Sequence, residues 1–309
     1  MAPLNKAVKL RPSKPSIDGH HFVGEADGEW GIKGWSFTAH VDPIHLTAQF
    51  LRKTLPGPVT VRIKRLKTGV AFTNITAELL QQHHQNDVKI STHAIFGLNE
   101  ANPTDRAQLT LNPPSPWARR HPLYTHPSEA ERLPIPKSWS FAKYIGWAED
   151  ENIKSKNLPD HPSRTNSSTI GSGGLEWGGW FELKDEPISN PALAFLADIV
   201  ENTPSLLPKS ERPGIASPMW FATLTFSIEF KNKIPSPSAK HADRTVGLYS
   251  SGKFVTHPQG RHDIYAEVWT APSNIGEGNS NNNWRDDQVC LAVATQVALC
   301  IPVGNTPKL

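Results

Sequence analysis

The stretch ATLTFSIEF, residues 222–230, alternates apolar and polar side chains without a break. This alternation predicts a β-strand with one face in the core, because successive side chains of a strand point to opposite faces. The predicted buried face carries Ala222, Leu224, Phe226, Ile228 and Phe230. The predicted polar face carries Thr223, Thr225, Ser227 and Glu229. The chain must therefore build a sheet with a hydrophobic side.

The same pattern occurs early in the chain, in PIHLTAQF at residues 43–50. Aligning Phe50 with Phe230 also aligns Leu46 with Phe226, and both strands run into Lys-containing turns that end in Pro (LRKTLP and KNKIP). Similar strand patterns follow each copy: VTVRIKRLKTG, AFTNITAELLQ and DVKISTHAIF in the first half, and TVGLYSSGKFVT, RHDIYAEVWTA and QVCLAVATQV in the second. The chain therefore consists of two copies of one mostly antiparallel sheet.

The boundaries of these copies follow from composition. Residues 101–137 contain eight prolines and a cluster of charges, which is typical of a linker. We therefore expect a first repeat at 17–100, a proline-rich linker at 101–137 and a second repeat at 138–303. GSGG, at 171–174, precedes a predicted strand, LEWGGWFELKD, and is interpreted as a turn.

One helix is predicted, at residues 190–202 in NPALAFLADIVENTP. Asn190 is a good N-cap and Pro191 suits the first turn. The apolar stripe of this helix consists of Leu193, Leu196, Ile199 and Val200. Asp198 interrupts the apolar run, but on a helical wheel it lies beside Ala194 and Phe195, off the centre of the stripe. The pattern alone therefore favours a solvent-facing carboxylate.

Composition and motifs exclude several classes of protein. The net charge of +3, without a dense Lys/Arg stripe, argues against nucleic-acid binding. No apolar run approaches the roughly 20 residues of a membrane span, and the N-terminus lacks a secretory apolar core. The two cysteines favour a reducing compartment over a disulfide framework. No serine-hydrolase elbow, phosphate-binding loop or dinucleotide fingerprint is present, and the histidines, including His121 and His126, lack metal-ligand spacing.

In order and spacing, these segments resemble the double hot-dog acyl-CoA thioesterases, the type II bacterial group and its fungal relatives. The resemblance rests on VDPIHLTAQFLRKTLPGPVTVRIKRLKTG in the first repeat and on WGGWFELKDEPISNPALAFLADIVENTP, MWFATLTFSIEF and VCLAVATQVAL in the second. It covers about residues 17–303. It implies an α+β fold in which two tandem hot-dog units each wrap an antiparallel sheet around a central helix.

The resemblance also implies a catalytic trio in the second repeat. Matching the family's segments places its aspartate, threonine and glutamine on Asp198, Thr223 and Gln296. Thioester hydrolysis needs an activated water, and a carboxylate desolvated beside an acyl tunnel would have a raised pKa and accept a proton near neutral pH. Thr223 and Gln296 would orient that water through hydrogen bonds.

The first repeat departs from the family pattern. About ten residues separate Gly34 from His45, too few for a typical helix of ~11 residues with its connections. We therefore expect a first repeat that lacks most of its helix, which would leave half of the acyl tunnel open.

Two functions from different classes remain open at this point. The first is hydrolysis of an acyl-CoA or related acyl thioester, with CoA as part of the substrate and no metal or redox cofactor. The second is non-hydrolytic acyl binding in a fatty-acid or polyketide-type pathway, which the short first repeat motivates. A hot-dog hydratase is less favoured because the helix lacks an Asp/His pair.

Assembly and location are also left open. Hot-dog sheets commonly associate, so the resemblance is compatible with a homo-oligomer. The final residues, Pro307-Lys308-Leu309, resemble a Ser-Lys-Leu peroxisomal address and leave a cytoplasmic or a peroxisomal location open.

Overall fold

The strands predicted from alternating side chains are all present in the computed structural model, which describes residues 11–12, 20–26, 40–81, 87–99, 110–135, 141–162, 174–212, 219–281 and 283–302. In the first half the strands are β1 (Arg11–Pro12), β2 (His20–Ala26), β3 (Asp42–Phe50), β4 (Gly57–Thr68), β5 (Thr73–Gln81) and β6 (Val88–Gly97). In the second half they are β7 (Ile145–Glu149), β8 (Leu175–Leu183), β9 (Met219–Phe230), β10 (Thr245–Gly252), β11 (Val255–Thr256), β12 (Arg261–Thr270) and β13 (Cys290–Pro302).

The described helices are short. They are α1 (Glu151–Ser155), α2 (Asn190–Asp198) and α3 (Thr203–Leu206), with 3₁₀ turns at Pro127–Glu129, Ala142–Tyr144, Lys209–Glu211 and Trp284–Asp286. Within the described ranges no helix has the length and apolar content that crossing a membrane requires.

All the strands belong to one antiparallel sheet in the order β1-β2-β4-β5-β6-β3-β9-β13-β12-β10-β8-β7, with β11 paired to β12. Reading outward from the centre, β3-β6-β5-β4-β2 matches β9-β13-β12-β10-β8, which is the same succession in each half. At the centre Thr47 pairs with Ser227, and these residues are equivalent when Phe50 is aligned with Phe230. The predicted repeat is therefore confirmed as a double hot-dog with an approximate two-fold axis between β3 and β9.

Two β-bulges alter the expected side-chain pattern. In β9, Thr225 pairs with Val297 while Thr223 pairs with Ala298, so Leu224 is an extra residue. Because an extra residue reverses the alternation, Ala222 and Leu224 pack with Leu299 and Ile301, not with the core cluster around Phe226. The prediction that Ala222 and Leu224 share a face with Phe226 is therefore wrong. Strand β3 has a bulge at the same repeat position, with Ile44 as the extra residue.

Helix α2 packs its predicted stripe into the main core. Leu193 and Leu196 are fully buried and Val200 nearly so, against Phe226 and Ile228 of β9. We call the side of the sheet that faces α2 the inner face. The helix begins at Asn190 with Ser189 as its N-cap, one residue before the predicted cap, and ends at Asp198 instead of residue 202. Ile199 is the C-cap, so Asp198 lies in the last turn.

The expected loss of a helix from the first repeat concerns the connection between β2 and β3, most of which lies outside the described residues. Residues 27–41 connect β2 to β3, against residues 184–218 between β8 and β9, and residues 27–39 lie outside the described residues. The same holds for most of the GSGG turn and for Pro307-Lys308-Leu309. Within the described residues 40–81 and 87–99 of the first repeat there is no helix, only strands, turns and coil.

Residues 110–135, from the predicted linker, pack on the outer face of the second repeat. The Arg119 guanidinium pairs with the buried Glu267 carboxylate at 3.0 Å. The backbone amides of Tyr124 and Thr125 donate to Asp150 Oδ2 at 2.6 and 2.8 Å. This part of the linker is therefore an ordered layer over the sheet.

His121 lies at the centre of this layer. Its ring stacks on Trp180 with centroids 4.9 Å apart and meets the edges of Trp269 and Trp284. The Leu123 amide donates to Nδ1 at 3.2 Å. Burial, reinforced by the nearby Arg285 and Arg119 cations, lowers the pKa of His121 well below 6.5. Its role in the fold is therefore that of a neutral core side chain.

The low pKa of His121 makes stability depend on pH. Below pH ~6.5 the unfolded chain binds a proton at this ring and the folded chain does not, so the free energy of unfolding falls as pH decreases, by up to about 1.4 kcal/mol per pH unit. We expect His121→Asn to reduce this slope, measured by denaturant unfolding between neutral and mildly acidic pH. Burial also lowers the pKa values of His126 and His262, so part of the pH dependence of the unfolding free energy should remain in this variant.

The matched control is His257→Asn, since His257 is an exposed histidine. Equal slopes for wild type and His121→Asn would show that His121 does not set the acid sensitivity.

Candidate active site

A cavity of about 460 Å³ lies between α2 and the inner face of the sheet at the junction of the two repeats. Strands β3 and β6 of the first repeat form much of its wall, and β9 contributes Phe226 and Phe230. The apolar lining also includes Phe50 and Phe96. Among the described lining residues Asp198 is the one carboxylate. The site is thus an apolar cavity with a single acidic group.

Helix α2 presents one face to this cavity along its whole length. The residues on that face are Asn190, Pro191, Ala194, Phe195 and Asp198. They recur at helical spacing, and at 1.5 Å per residue the face spans ~12 Å. The Phe195 ring packs edge-on against Phe141, with centroids 5.5 Å apart, which fixes the helix against the core behind it. The wheel grouping of Asp198 with Ala194 and Phe195 is confirmed.

Asp198 combines the two interpretations that the sequence left open. Its side chain is exposed, as the helical wheel predicts, yet it lines the cavity. This exposure keeps the carboxylate in contact with solvent, and the raised pKa that the family resemblance implies stays a prediction. Its neighbours Ala197 and Leu196 are fully buried, so the carboxylate stands at the boundary between core and solvent.

Gln296 of β13 holds the backbone next to Asp198. Its side chain is 4 % exposed, and Nε2 donates to the carbonyl oxygen of Ala197 at 3.0 Å. This carbonyl belongs to the last turn of α2, whose terminal carbonyls lack partners within the helix. The amide thus satisfies a helix end and ties it to the sheet. A second amide hydrogen and the side-chain oxygen retain capacity for other partners.

Thr223 reaches the same face as Gln296 because of the bulge at Leu224. Thr223 pairs with Ala298, which lies two residues from Gln296 on β13, so both side chains point to the inner face. Without the bulge, strict alternation from Phe226 would direct Thr223 outward. Thr223 is half-buried. Thr223 and Gln296 therefore share the inner face, and Gln296 contacts α2 next to Asp198, while neither of the two is among the described residues that line the cavity.

The first repeat carries no equivalent of the threonine and the glutamine. Through the approximate two-fold axis, Thr223 corresponds to Pro43 and Gln296 corresponds to Ala94. Both Pro43 and Ala94 line the cavity. At these two repeat positions the first repeat thus has apolar residues that line the cavity, where the second repeat has polar residues on its inner face. Sequence reasoning missed both positions: the alignment of Phe50 with Phe230 makes Pro43 the equivalent of Thr223, whereas matching Ala94 to Gln296 requires the registers of β6 and β13.

The cysteines are poor candidates for a nucleophile. Burial raises the pKa of Cys290 to about 12, and burial also raises the pKa of Cys300. A thiol acts as a nucleophile through its thiolate, which is scarce near neutral pH at such values. Within the described parts of the chain no cluster of His, Cys, Asp and Glu has the composition of a metal site. The chemistry available at the cavity is that of a carboxylate with neutral hydrogen-bonding partners.

Two family models match this chain. Residues 33–97 match the family model of the acyl-CoA thioesterase N-terminal domain, and residues 127–273 match that of the C-terminal domain. Together the two matches cover more than half of the chain. The second includes Asp198 and Thr223 and stops before β13, which carries Gln296. No curated protein sequence is significantly similar to this chain.

Solved structures with the same fold extend over nearly the whole chain. A candidate thioesterase II from Thermobifida fusca is 15 % identical, with a TM-score of 0.61 and coverage of 97 % of this chain and 98 % of that one. A hot-dog protein of unknown function from Alicyclobacillus acidocaldarius is 16 % identical, with a TM-score of 0.59 and coverage of 96 % and 97 %.

An acyl-CoA thioesterase II from Mycobacterium marinum is 14 % identical, with a TM-score of 0.54 and coverage of 98 % of this chain and 99 % of that one. At these identities the likeness concerns the fold. Together with the two domain matches it shows that the chain belongs to the double hot-dog acyl-CoA thioesterase family.

Proposed function

We propose that this protein hydrolyses an acyl-CoA thioester to a free carboxylic acid and CoA. The observation that carries the proposal is the hydrogen bond from Gln296 Nε2 to the Ala197 carbonyl, which fixes the residue before Asp198 at the edge of an apolar cavity. A carboxylate held beside an apolar cavity, with a hydroxyl and an amide on the same face, suits the activation of a water molecule.

The cavity would hold the acyl chain. Its aromatic wall of Phe50, Phe195, Phe226 and Phe230 offers apolar surface and little hydrogen-bonding capacity. Burying a hydrocarbon chain there removes apolar surface from water, which is the main source of affinity for such ligands. The thioester carbonyl would then lie near Asp198, where the apolar lining gives way to polar groups.

In the proposed reaction Asp198 accepts a proton from water as the water oxygen attacks the thioester carbonyl carbon. The tetrahedral intermediate collapses with cleavage of the carbon–sulfur bond, and the CoA sulfur leaves as a thiolate and takes up a proton. Thr223 and Gln296 orient the water through hydrogen bonds, since both are neutral and neither competes as a base. A bound acyl chain excludes water from the exposed Asp198 carboxylate, and this desolvation raises its pKa towards that of an effective base.

The first test of this proposal is Asp198→Asn, which preserves shape and removes the base. We expect kcat/KM for acyl-CoA hydrolysis to fall by about 100-fold to 10,000-fold, the usual contribution of a general base. The measurement is release of free CoA thiol across acyl-CoAs of increasing chain length. Asp185→Asn is the matched control because Asp185 is exposed and precedes α2 on the same connection.

Two results would count against the assignment. Equal rates for wild type and Asp198→Asn would remove Asp198 from the mechanism. Tight binding of acyl-CoA by the wild type without any release of CoA would favour the non-hydrolytic acyl-binding function.

The second test separates the two roles of Gln296. Replacing it by methionine leaves the buried Ala197 carbonyl without its donor, and we expect the free energy of unfolding to fall by about 1–3 kcal/mol. We also expect kcat to fall, because the last turn of α2 and Asp198 lose their anchor to β13. Thr295→Val is the matched control, since Thr295 is the exposed neighbour on the other face. A loss of stability with unchanged kcat would make Gln296 a structural tie alone.

A further inference from the structure

The turn between β4 and β5 is exposed along its whole length. Residues 64–72, KRLKTGVAF, are nine consecutive exposed residues, which we call the basic hairpin tip. Val70 is fully exposed, Leu66 is 53 % exposed and Phe72 is 49 % exposed. Three large apolar side chains at one turn are more than the single exposed apolar residues that are normal on a protein surface.

The charge of the tip has one sign. Lys64, Arg65 and Lys67 are exposed, and the nine residues include no carboxylate. In the described part of the chain none of these three cations takes part in an ion pair, whereas the nearby Arg62 pairs with Glu78 at 3.1 Å. Among the residues that the structure describes, the tip therefore offers positive charge without an ion-pair partner, together with apolar side chains.

The tip has a defined conformation. The Gly69 amide donates to the Phe72 carbonyl at 2.8 Å and closes the turn. The buried His40 ring braces it from below: Nε2 donates to the Val70 carbonyl at 2.9 Å, and Nδ1 lies 2.8 Å from Thr73 Oγ1. Leu66 is the extra residue of a bulge in β4. The apolar side chains are thus held outward by a supported turn.

The tip adjoins the opening of the cavity. Val41, the residue after His40, lines the cavity and is 69 % exposed, so the cavity reaches the surface at this point. Phe72 lies against Gly97, which follows the cavity-lining Phe96. A surface that contacts the tip would therefore lie beside the cavity opening.

We propose that the basic hairpin tip docks this protein onto anionic lipid surfaces. Lys and Arg side chains are attracted to anionic headgroups, and exposed apolar side chains enter the boundary between headgroups and acyl chains. An acidic protein partner would also fit the charge, but Lys is depleted in protein–protein interfaces and the tip carries Lys64 and Lys67. Its exposed apolar side chains, with Val70 fully exposed, suit insertion between lipid headgroups.

The equivalent hairpin of the second repeat, between β10 and β12, is a built-in comparison. It exposes Phe254 and Val255 and carries Lys253 and Arg261. The Asp263 carboxylate lies beneath it and accepts the Lys253 and Phe254 amides, which adds a negative charge at that turn. Through the two-fold axis between β3 and β9 this hairpin lies at the opposite end of the sheet. One flat surface therefore cannot contact both hairpins.

The test uses the full chain and vesicles of phosphatidylcholine with or without phosphatidylserine, in a flotation assay. We expect binding to the anionic vesicles alone, weakened by added salt, because exposed charges are screened. The variant Lys64→Gln, Arg65→Gln, Lys67→Gln should lower the partition coefficient at least tenfold. The matched variant Lys253→Gln, Arg261→Gln should bind as the wild type does, and circular dichroism checks that both fold.

A direct readout reports the depth of the tip. An environment-sensitive dye on the thiol of Val70→Cys should shift to shorter emission wavelengths with anionic vesicles, and one on Thr256→Cys, in the other hairpin, should not. Absence of vesicle binding by the wild type, equal binding by the Lys64/Arg65/Lys67 variant, or a shift at position 256 alone would overturn the proposal. Binding to a purified acidic carrier protein without vesicle binding would also overturn it. None of these readouts depends on thioester hydrolysis.

Discussion

The antiparallel ladder between β3 and β9 is the constraint on which the rest of this structure depends. It joins two repeats into one sheet, with Thr47 opposite Ser227 and with His45 Nε2 3.0 Å from Ser227 Oγ across the junction. Because the ladder is continuous, the inner faces of both repeats lie on the same side. Helix α2 of the second repeat can then cover strands of the first, and the cavity between them contains residues from both.

Within that frame, the position of Asp198 follows from the packing of α2. The stripe of Leu193 and Leu196 faces the core, so the opposite side of the helix lies at the cavity and in solvent. Asp198 occupies the last turn, where unsatisfied carbonyls need partners, and Gln296 supplies one. A single amide therefore satisfies the helix end and sets the backbone that carries the carboxylate.

The strands and the repeat were predicted well because alternation is a local property that can be recognised in each strand separately. The alternation in ATLTFSIEF continues through Leu224 without a break. The pattern therefore does not predict the bulge that turns Ala222 and Leu224 away from Phe226. A bulge depends on the partner strand, here β13, whose register is not visible in β9 alone. For the same reason the resemblance matches Asp198, Thr223 and Gln296 as residue types but does not predict the contacts that each of them makes. Thr223 reaches the inner face through the bulge, and Gln296 meets Ala197 through the packing of α2 on β13.

Helix ends were less well predicted than helix content, again for a physical reason. Ser189 and Asn190 are both good capping residues, and the choice between them depends on where the preceding chain leaves the sheet. The helix stops at Asp198, although the apolar pattern continues to Val200. Val200 is buried although it lies beyond the helix end, so burial of an apolar side chain here does not require a helical residue.

The paired bulges at Ile44 and Leu224 give the two repeats the same backbone course at this position. In each repeat the extra residue reverses the alternation, so Pro43 is directed to the inner face as Thr223 is. In the present chain Pro43 and Ala94 stand where the second repeat has Thr223 and Gln296. The same bulge thus directs an apolar residue inward in one repeat and a hydroxyl inward in the other, so the side chain at this position can differ between the repeats without a change in the backbone.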